Sequence, residues 1–358
     1  MNRYLLPASL VGSVVGGFVL LKDSMHGGLC SSKAVLQGKT AIVTGANTGL
    51  GKETALDLAR RGARVILACR DEAACEDAAR EIRGETLNPR VVARRLDLAS
   101  LESVRDFAAH INQDEENVHI LVNNAAVMRC PHSTTADGFE MQFGVNHLGH
   151  FLLTNLLLDK LRASAPSRVV TVSSLAQVAA CLDLSDLNWE RRKYDPKLAY
   201  CDSKLANVLF SLELSKRLQG TGVTANSVNP GVCNTSLGRH TGMHKSAFSS
   251  SVLGPFFWLV VRSPRLGAQP SINLAVSEEL RDVSGRYFDG MRQVDPGTKA
   301  NDEELARQLW EASARLVCLR DHDGSGGGSG KGGAGEASEC HKGQGAGAPE
   351  RSAVEDGA

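Results

Sequence analysis

The sequence has no net charge, because 40 Lys and Arg balance 40 Asp and Glu over 358 residues. Nucleic-acid binding needs a basic surface, so no partner of that kind is expected. No CxxC pair or zinc-like spacing occurs among the 9 cysteines. An odd, scattered set reads as free thiols in a reducing compartment. No internal repeat and no strong second-domain boundary interrupts the body. The last stretch, residues 321–358, is rich in glycine and almost devoid of large apolar side chains. It cannot bury enough surface to offset its ordering entropy, so it reads as a disordered tail without chemistry. Cys340 and His341 within it are too few for a metal site.

What is present suits one large α/β domain. Hydrophobic residues make up 42% of the chain, enough for a sizeable core. Residues 4–21 form an uncharged run between Arg3 and Lys22, just long enough to span a bilayer. No clean cleavage pattern follows, so residues 1–24 read as an uncleaved membrane anchor. Gly12 and Gly16 make a GxxxG there, a weak sign of helix pairing. The flanking charges nearly balance and leave the orientation unreadable.

From residue 38 to residue 318 short β-rich runs alternate with helical stretches. The runs are 40–45, 64–70, 91–98, 119–127, 167–174 and 222–231. That alternation predicts a single doubly wound, Rossmann-like α/β fold, a parallel sheet with helices on both faces. Runs such as "ILV" and "VVTV" suit strands buried on both sides.

"VTGANTGLG" (43–51) follows the first strand and opens a helix. Gly45, Gly49 and Gly51 let the backbone turn and approach a pyrophosphate; Asn47, Thr48 and Leu50 lie between them. The next strand ends in Cys69 and Arg70, with no acid at its tip. A carboxylate there would repel a 2′-phosphate, whereas an arginine grips one, so NADPH/NADP+ is favoured over NAD(H). Lys52 adds charge, or is an ordinary helix-start residue. Arg70 in turn has a blander role open to it, pairing with Asp71 or another acid. Asp97 either meets the adenine or caps the following helix. Asn124, in "NNAA" (123–126), sits where the ribose would lie.

The chain has four tyrosines, at 4, 194, 200 and 287. Only Tyr200 has a lysine four places on, Lys204, and positions i and i+4 share a helix face. A phenol titrates near 10, too high for neutral proton transfer; an adjacent ammonium and a positive nicotinamide would lower it. Ser174, at a strand end, offers a second donor to a substrate carbonyl, with Ser173 its competitor. Asn146 could hold a water linking the lysine to solvent. His147 and His150 lie three apart without a third ligand nearby, so they read as packed histidines and no metal is expected.

TGxxxGxG, NNAx, "VNHLGHF", "VSS", YxxxK and "PGVxxT", in that order, resemble the short-chain dehydrogenases/reductases. The resemblance implies a catalytic set of Asn146, Ser174, Tyr200 and Lys204. It also puts cofactor contacts at Pro230, Gly231 and Thr235. "MQFGVNHLGHFLLTNLLLDKL" and "AYCDSKLANVLF" are similar to the retinol dehydrogenase 11–14 group within that family. This implies an NADP(H)-linked retinol dehydrogenase acting as a retinal reductase, membrane-associated, with a homodimer left open. "RYLLPASL", "RCPH", "DLNWERRKY" and "LGRHTG" narrow the likeness and imply the mitochondrial inner membrane, the endoplasmic reticulum being the alternative. Two rivals stand beside this reading. One is a broad reductase of lipid aldehydes or steroids, the other a non-catalytic NADP(H)-binding scaffold or redox sensor. Ala126 departs from the family's glycine, and would cost about 1 kcal/mol if its φ were positive. Asn229 stands where relatives carry histidine. Residues 249–261 read as a hydrophobic lid over the substrate, or as an amphipathic helix on the body or a bilayer.

Overall fold

A computed structural model describes residues 28–233 and 261–319. The expected anchor, the 321–358 tail, Thr235 and nearly all of 249–261 lie outside the described residues. Among the described residues no helix is long and apolar enough to cross a membrane.

All six β-rich runs form strands: β1 Thr40–Thr44, β2 Arg64–Cys69, β3 Val91–Arg95, β4 Ile120–Asn123, β5 Ser167–Val172 and β6 Val223–Asn229. β3 and β4 end earlier than the runs suggested, where the chain turns into the site. Two short strands were not expected, β7 Tyr287–Asp289 and β8 Arg292–Val294. Gly290 turns between them at φ 59°.

The sheet order is β3-β2-β1-β4-β5-β6-β7-β8. It is parallel through β7, and β8 returns antiparallel. The strand order reverses at β1, with β2 on one side and β4 on the other. Ligands bind outside the strand C-termini at such a switch point. The fold is thus the doubly wound parallel sheet that the sequence predicts.

Helices α1 Gly49–Arg60 and α2 Glu72–Thr86 cover one face of the sheet, and α3 Leu101–Asp114 the other. The chain then makes a short turn, α4 Met141–Phe143, a π-helical turn over Gly144–Leu148, and α5 Gly149–Leu156. α6 Leu158–Ala163, α7 Pro196–Arg217, α8 Pro264–Val276 and α9 Glu303–Leu316 complete the set. α5, α7 and α9 share the face of α3, while α8 joins α1 and α2.

α7 begins where Asp195 accepts from the N–H groups of Lys197 and Leu198, with Pro196 at the first helical position. That start sets Tyr200 and Lys204 beside the strand ends. α7 is buried for most of its length because α9 covers its outer side. Trp310 stacks on Phe210, ring centroids 5.8 Å apart, and meets Phe151 edge-on at 4.8 Å.

The free-thiol expectation is corrected at two places. Cys69, ending β2, is joined to Cys75 in the first turns of α2, their Cα atoms 5.9 Å apart. The strand-to-helix turn brings together two cysteines whose spacing carries no known signature. Cys318 is also disulfide-bonded. Cys30, Cys130, Cys181, Cys201 and Cys233 are free.

Candidate active site

The glycine loop is held tightly against β4. The Thr44 hydroxyl accepts from the backbone N–H of Asn124 and of Ala125, each at 2.9 Å. The Asn124 amide donates to the Thr44 carbonyl at 2.8 Å. Gly45 and Gly49 adopt φ of 63° and 58°, which L side chains avoid. A Cβ on Gly51 would lie 2.4 Å from the Gly45 oxygen and 2.5 Å from Asn124 Nδ2. The loop therefore forms a cradle bare of side chains at the start of α1. Asn47 lies in it, Thr48 is the N-cap and Leu50 begins the helix. α1 has no acid in its first turn, so its dipole end favours a phosphate. The residues present fit a dinucleotide.

Arg70 is exposed just past β2, and makes no hydrogen bond to another described residue. Asp71 caps α2 through the Ala74 N–H at 3.0 Å, so the bland pairing of Arg70 with Asp71 is not found. Lys52 pairs with Glu81 of α2 at the surface. Such exposed pairs contribute about 1 kcal/mol at most. Asp97 accepts from the Ala99 N–H at 3.0 Å, whereas Ser100 caps α3. Ala126 is not among the non-glycine residues at positive φ, so alanine is unstrained there. Gly231 takes φ of 82° after Pro230, whose carbonyl accepts from Arg262 at 3.1 Å. Asn229 stabilises this turn, its side chain accepting from the Gly231 N–H at 3.1 Å.

The structure brings Asn146, Ser174, Tyr200 and Lys204 together at the C-terminal ends of β4 and β5. Strand alternation separates the two serines. Ser173 points under α7 and donates to the Lys204 carbonyl at 2.7 Å. Ser174 caps a 3-10 turn, Leu175–Ala179, and hydrogen-bonds the Tyr200 hydroxyl. Tyr200 is 7% exposed and Lys204 2%. Lys204 Nζ lies 5.7 Å from the centre of the Tyr200 ring and donates to the Val172 carbonyl at 3.0 Å.

One expectation changes here. Burial pushes Tyr200 up to about 12, with the Ser174 hydrogen bond opposing it. Burial pulls Lys204 down to about 7. The protein groups alone therefore do not lower the tyrosine, because desolvation favours the neutral form of both partners. The Asn146 side chain is anchored on both sides: Oδ1 accepts from the Val127 N–H at 2.8 Å, and Nδ2 donates to the Val127 carbonyl and Ser203 Oγ, each at 2.9 Å, which leaves one lone pair of Oδ1 open to a water. Ser203 donates in turn to the Tyr200 carbonyl at 2.8 Å. Asn146 thus ties the exit of β4 to the helix carrying Tyr200.

The histidines have packing roles, each with hydrogen-bond partners of its own. His150 Nδ1 lies 3.0 Å from the Asn146 carbonyl, and Nε2 lies 2.8 Å from the Thr44 hydroxyl. A carbonyl only accepts, so Nδ1 carries the proton and Thr44 donates to Nε2. His147 Nε2 lies 2.8 Å from Ser313 Oγ. Burial holds His147 at about 3 and His150 at about 4, so both are neutral.

Sequence reasoning did not single out Ser203, Asn207 or Arg129. Arg129 sits at φ 51° and its charge lowers the Tyr200 pKa slightly; no sequence signal marks it. It also missed an apolar rim beside Ser174 and Gly231. Leu175, Val178 and Val232 are 62%, 64% and 58% exposed, so this side of the site offers apolar surface.

Comparison with known proteins agrees with this geometry. The family profile described as short chain dehydrogenase matches residues 39–245. Retinol dehydrogenase 13 of Mus musculus is 68% identical over 325 residues, 91% of this chain and 97% of that protein. Retinol dehydrogenase 12 of Homo sapiens is 49% identical, covering 84% of this chain and 93% of its own length. Among solved structures, an uncharacterised protein from Mycobacterium paratuberculosis superposes with a TM-score of 0.66 at 36% identity, covering 82% of this chain and 98% of that one. The RhlG/NADP active-site complex of Pseudomonas aeruginosa does so with a TM-score of 0.55 at 27% identity, covering 74% and 97%.

Proposed function

The chain belongs to the short-chain dehydrogenase family, and on that premise we propose that it is an NADP(H)-linked oxidoreductase that reduces retinal to retinol. One observation carries the reading: the Ser174 and Tyr200 hydroxyls meet beside a buried lysine at the switch point of the sheet. The bare glycine cradle supports a dinucleotide, and the exposed Arg70 supports one bearing a 2′-phosphate. The apolar rim of Leu175, Val178 and Val232 and the retinol dehydrogenase relatives support a long apolar carbonyl substrate.

The chemistry follows from the side chains. The bound nicotinamide supplies hydride to the carbonyl carbon. Ser174 donates a hydrogen bond to the carbonyl oxygen and orients it towards Tyr200. Tyr200, held protonated by burial, gives its proton to that oxygen as negative charge develops. Lys204 lies beside the phenol and stabilises the phenolate left behind. Asn146 and Ser203 hold the helix turn that carries Tyr200. A tyrosine kept protonated at neutral pH supports the reductive direction. The apolar run at residues 4–21 supports attachment to a membrane, which we assign to the mitochondrial inner membrane.

The test follows NADPH oxidation with all-trans-retinal, a medium-chain aldehyde and a ketosteroid. Turnover is expected with retinal and lost in Tyr200→Phe. NADPH binding without turnover on any carbonyl would point to a scaffold instead, and faster turnover on the aldehyde or steroid to a broad reductase.

A further inference from the structure

Resting on that reading, Tyr200 passes through its phenolate in both directions of the reaction. Burial opposes that anion, so a fixed cation within reach of it bears on the rate.

Arg129 is such a cation. It lies two residues beyond Val127, which Asn146 holds at the exit of β4. Its backbone takes φ of 51°, a left-handed turn that residues other than glycine avoid. Gln142, wholly buried, keeps it there. Gln142 Oε1 accepts from the Arg129 N–H at 2.7 Å. Gln142 Nε2 donates to the Pro196 carbonyl at 3.0 Å and to the Tyr194 hydroxyl at 2.9 Å. Pro196 stands one turn ahead of Tyr200 on α7. A single buried amide therefore pins Arg129 to the helix turn that precedes the catalytic tyrosine.

A strained backbone persists only where its surroundings over-determine it, and such residues gather at functional sites. Here the strain presents an exposed guanidinium that makes no ion pair with a described residue. Its charge reaches Tyr200 and Cys201, and Asp195 at the helix cap. The Asp195 carboxylate is turned instead to the Lys197 and Leu198 N–H groups.

The other groups around Tyr200 are neutral or engaged. β5 and its 3-10 turn bring the Ser174 hydroxyl and no charge. On α7, burial draws Lys204 down to about 7 and raises the Cys201 thiol, while Asp202 pairs with Arg192. Glu140, before α4, accepts from the Gln142 and Phe143 N–H groups and the Tyr194 hydroxyl. His147 and His150 are neutral. Lys299 donates to the Ala180 carbonyl. Among these described groups, Arg129 combines a charge that persists at every working pH with a side chain not engaged elsewhere.

We propose that Arg129 is a positioning residue of the reaction: its guanidinium, fixed by the Gln142 clamp, stabilises the Tyr200 phenolate on which alcohol oxidation depends. In that direction the alcohol loses its O–H proton to the phenolate and a hydride to the nicotinamide, and a carbonyl remains. In reduction the same charge favours departure of the Tyr200 proton to the carbonyl oxygen.

The test is the pH profile of kcat for oxidation of all-trans-retinol with NADP+. Oxidation rises with pH as Tyr200 ionises. In Arg129→Met that rise should move up by about half a pH unit, a modest shift because water screens an exposed charge. Below the rise kcat should fall about threefold, with KM for both substrates within about twofold. Arg129→Lys should restore the profile. Arg129→Gly, which suits a left-handed turn, should shift it as Met does and so separates charge from backbone strain. The shift should shrink in about 1 M salt, where the Debye length is about 3 Å. Profiles that coincide in wild type, Arg129→Met and Arg129→Gly would overturn the inference and leave the enzymatic reading intact. A change confined to KM would make Arg129 a substrate contact and overturn it too. Turnover that survives Tyr200→Phe would remove the reading on which it rests.

Discussion

Replacing Lys204 by Met should abolish turnover and yet stabilise the ligand-free protein at neutral pH. Lys204 is 2% exposed, and burial lowers its pKa from 10.5 to about 7. The folded pKa is thus below the unfolded one. Below about pH 7 both states carry the charge and the folded state bears the full burial cost. Between about pH 7 and about pH 10.5 the unfolded chain holds more protons, so stability rises with pH. At about 1.4 kcal/mol per pKa unit the whole cost is about 5 kcal/mol, of which about 2 kcal/mol vanishes between pH 7 and pH 8.5. Methionine keeps the apolar stem and removes the charge. The Val172 carbonyl keeps Asn207 Nδ2 at 3.1 Å, so no acceptor is orphaned. The hydrogen bond lost with Nζ contributes about 1.5–3 kcal/mol, less than the cost removed. Chemical denaturation of both proteins at the two pH values reads the difference. Wild type should gain about 2 kcal/mol on the variant as pH rises. His119 and His147, both shifted downward by burial, act equally in both proteins and cancel, while His150, which the Lys204 charge also lowers, is neutral throughout this pH range. Equal pH slopes would refute the claim that the buried amine bears a charging cost.

Three further outcomes are expected. Gly51→Ala should lose NADP(H) binding and about 2 kcal/mol or more of stability, because its Cβ would meet the Gly45 oxygen at 2.4 Å; cofactor fluorescence titration and a thermal melt read the two effects. Arg70→Asp should lower the ratio of kcat/KM for NADPH over NADH by about tenfold or more, by removing the phosphate grip and adding repulsion. Trp310→Ala should cost about 3–5 kcal/mol in denaturant unfolding, since its ring packs on Phe151 and Phe210 under Arg217.

The sheet was legible because its six main strands are short β-rich runs set between helical stretches, and all but the edge strand β3, with Arg94 and Arg95 exposed, are buried on both faces. β7 and β8 were not, because three residues each leave no period to read. In the site, glycine spacing marked the cradle and the i, i+4 step marked Tyr200 and Lys204. The choice between Ser173 and Ser174 needed the strand's facing, which only the bond from Ser173 to the Lys204 carbonyl reveals. The Cys69–Cys75 bond needed the turn between β2 and α2.

By itself, then, the sequence determined which groups the site contains and in what order the elements carry them. Those properties rest on periodicity and on residues a few places apart. The tertiary structure decided what state those groups are in. Asn146 is bonded by a residue 57 positions away, and His150 by one 106 positions away. Tyr200 and Lys204 are driven towards neutrality by burial, Lys204 against the Val172 carbonyl of β5. Desolvation and hydrogen-bond partnership depend on which distant segments close over a side chain, and no local pattern records that.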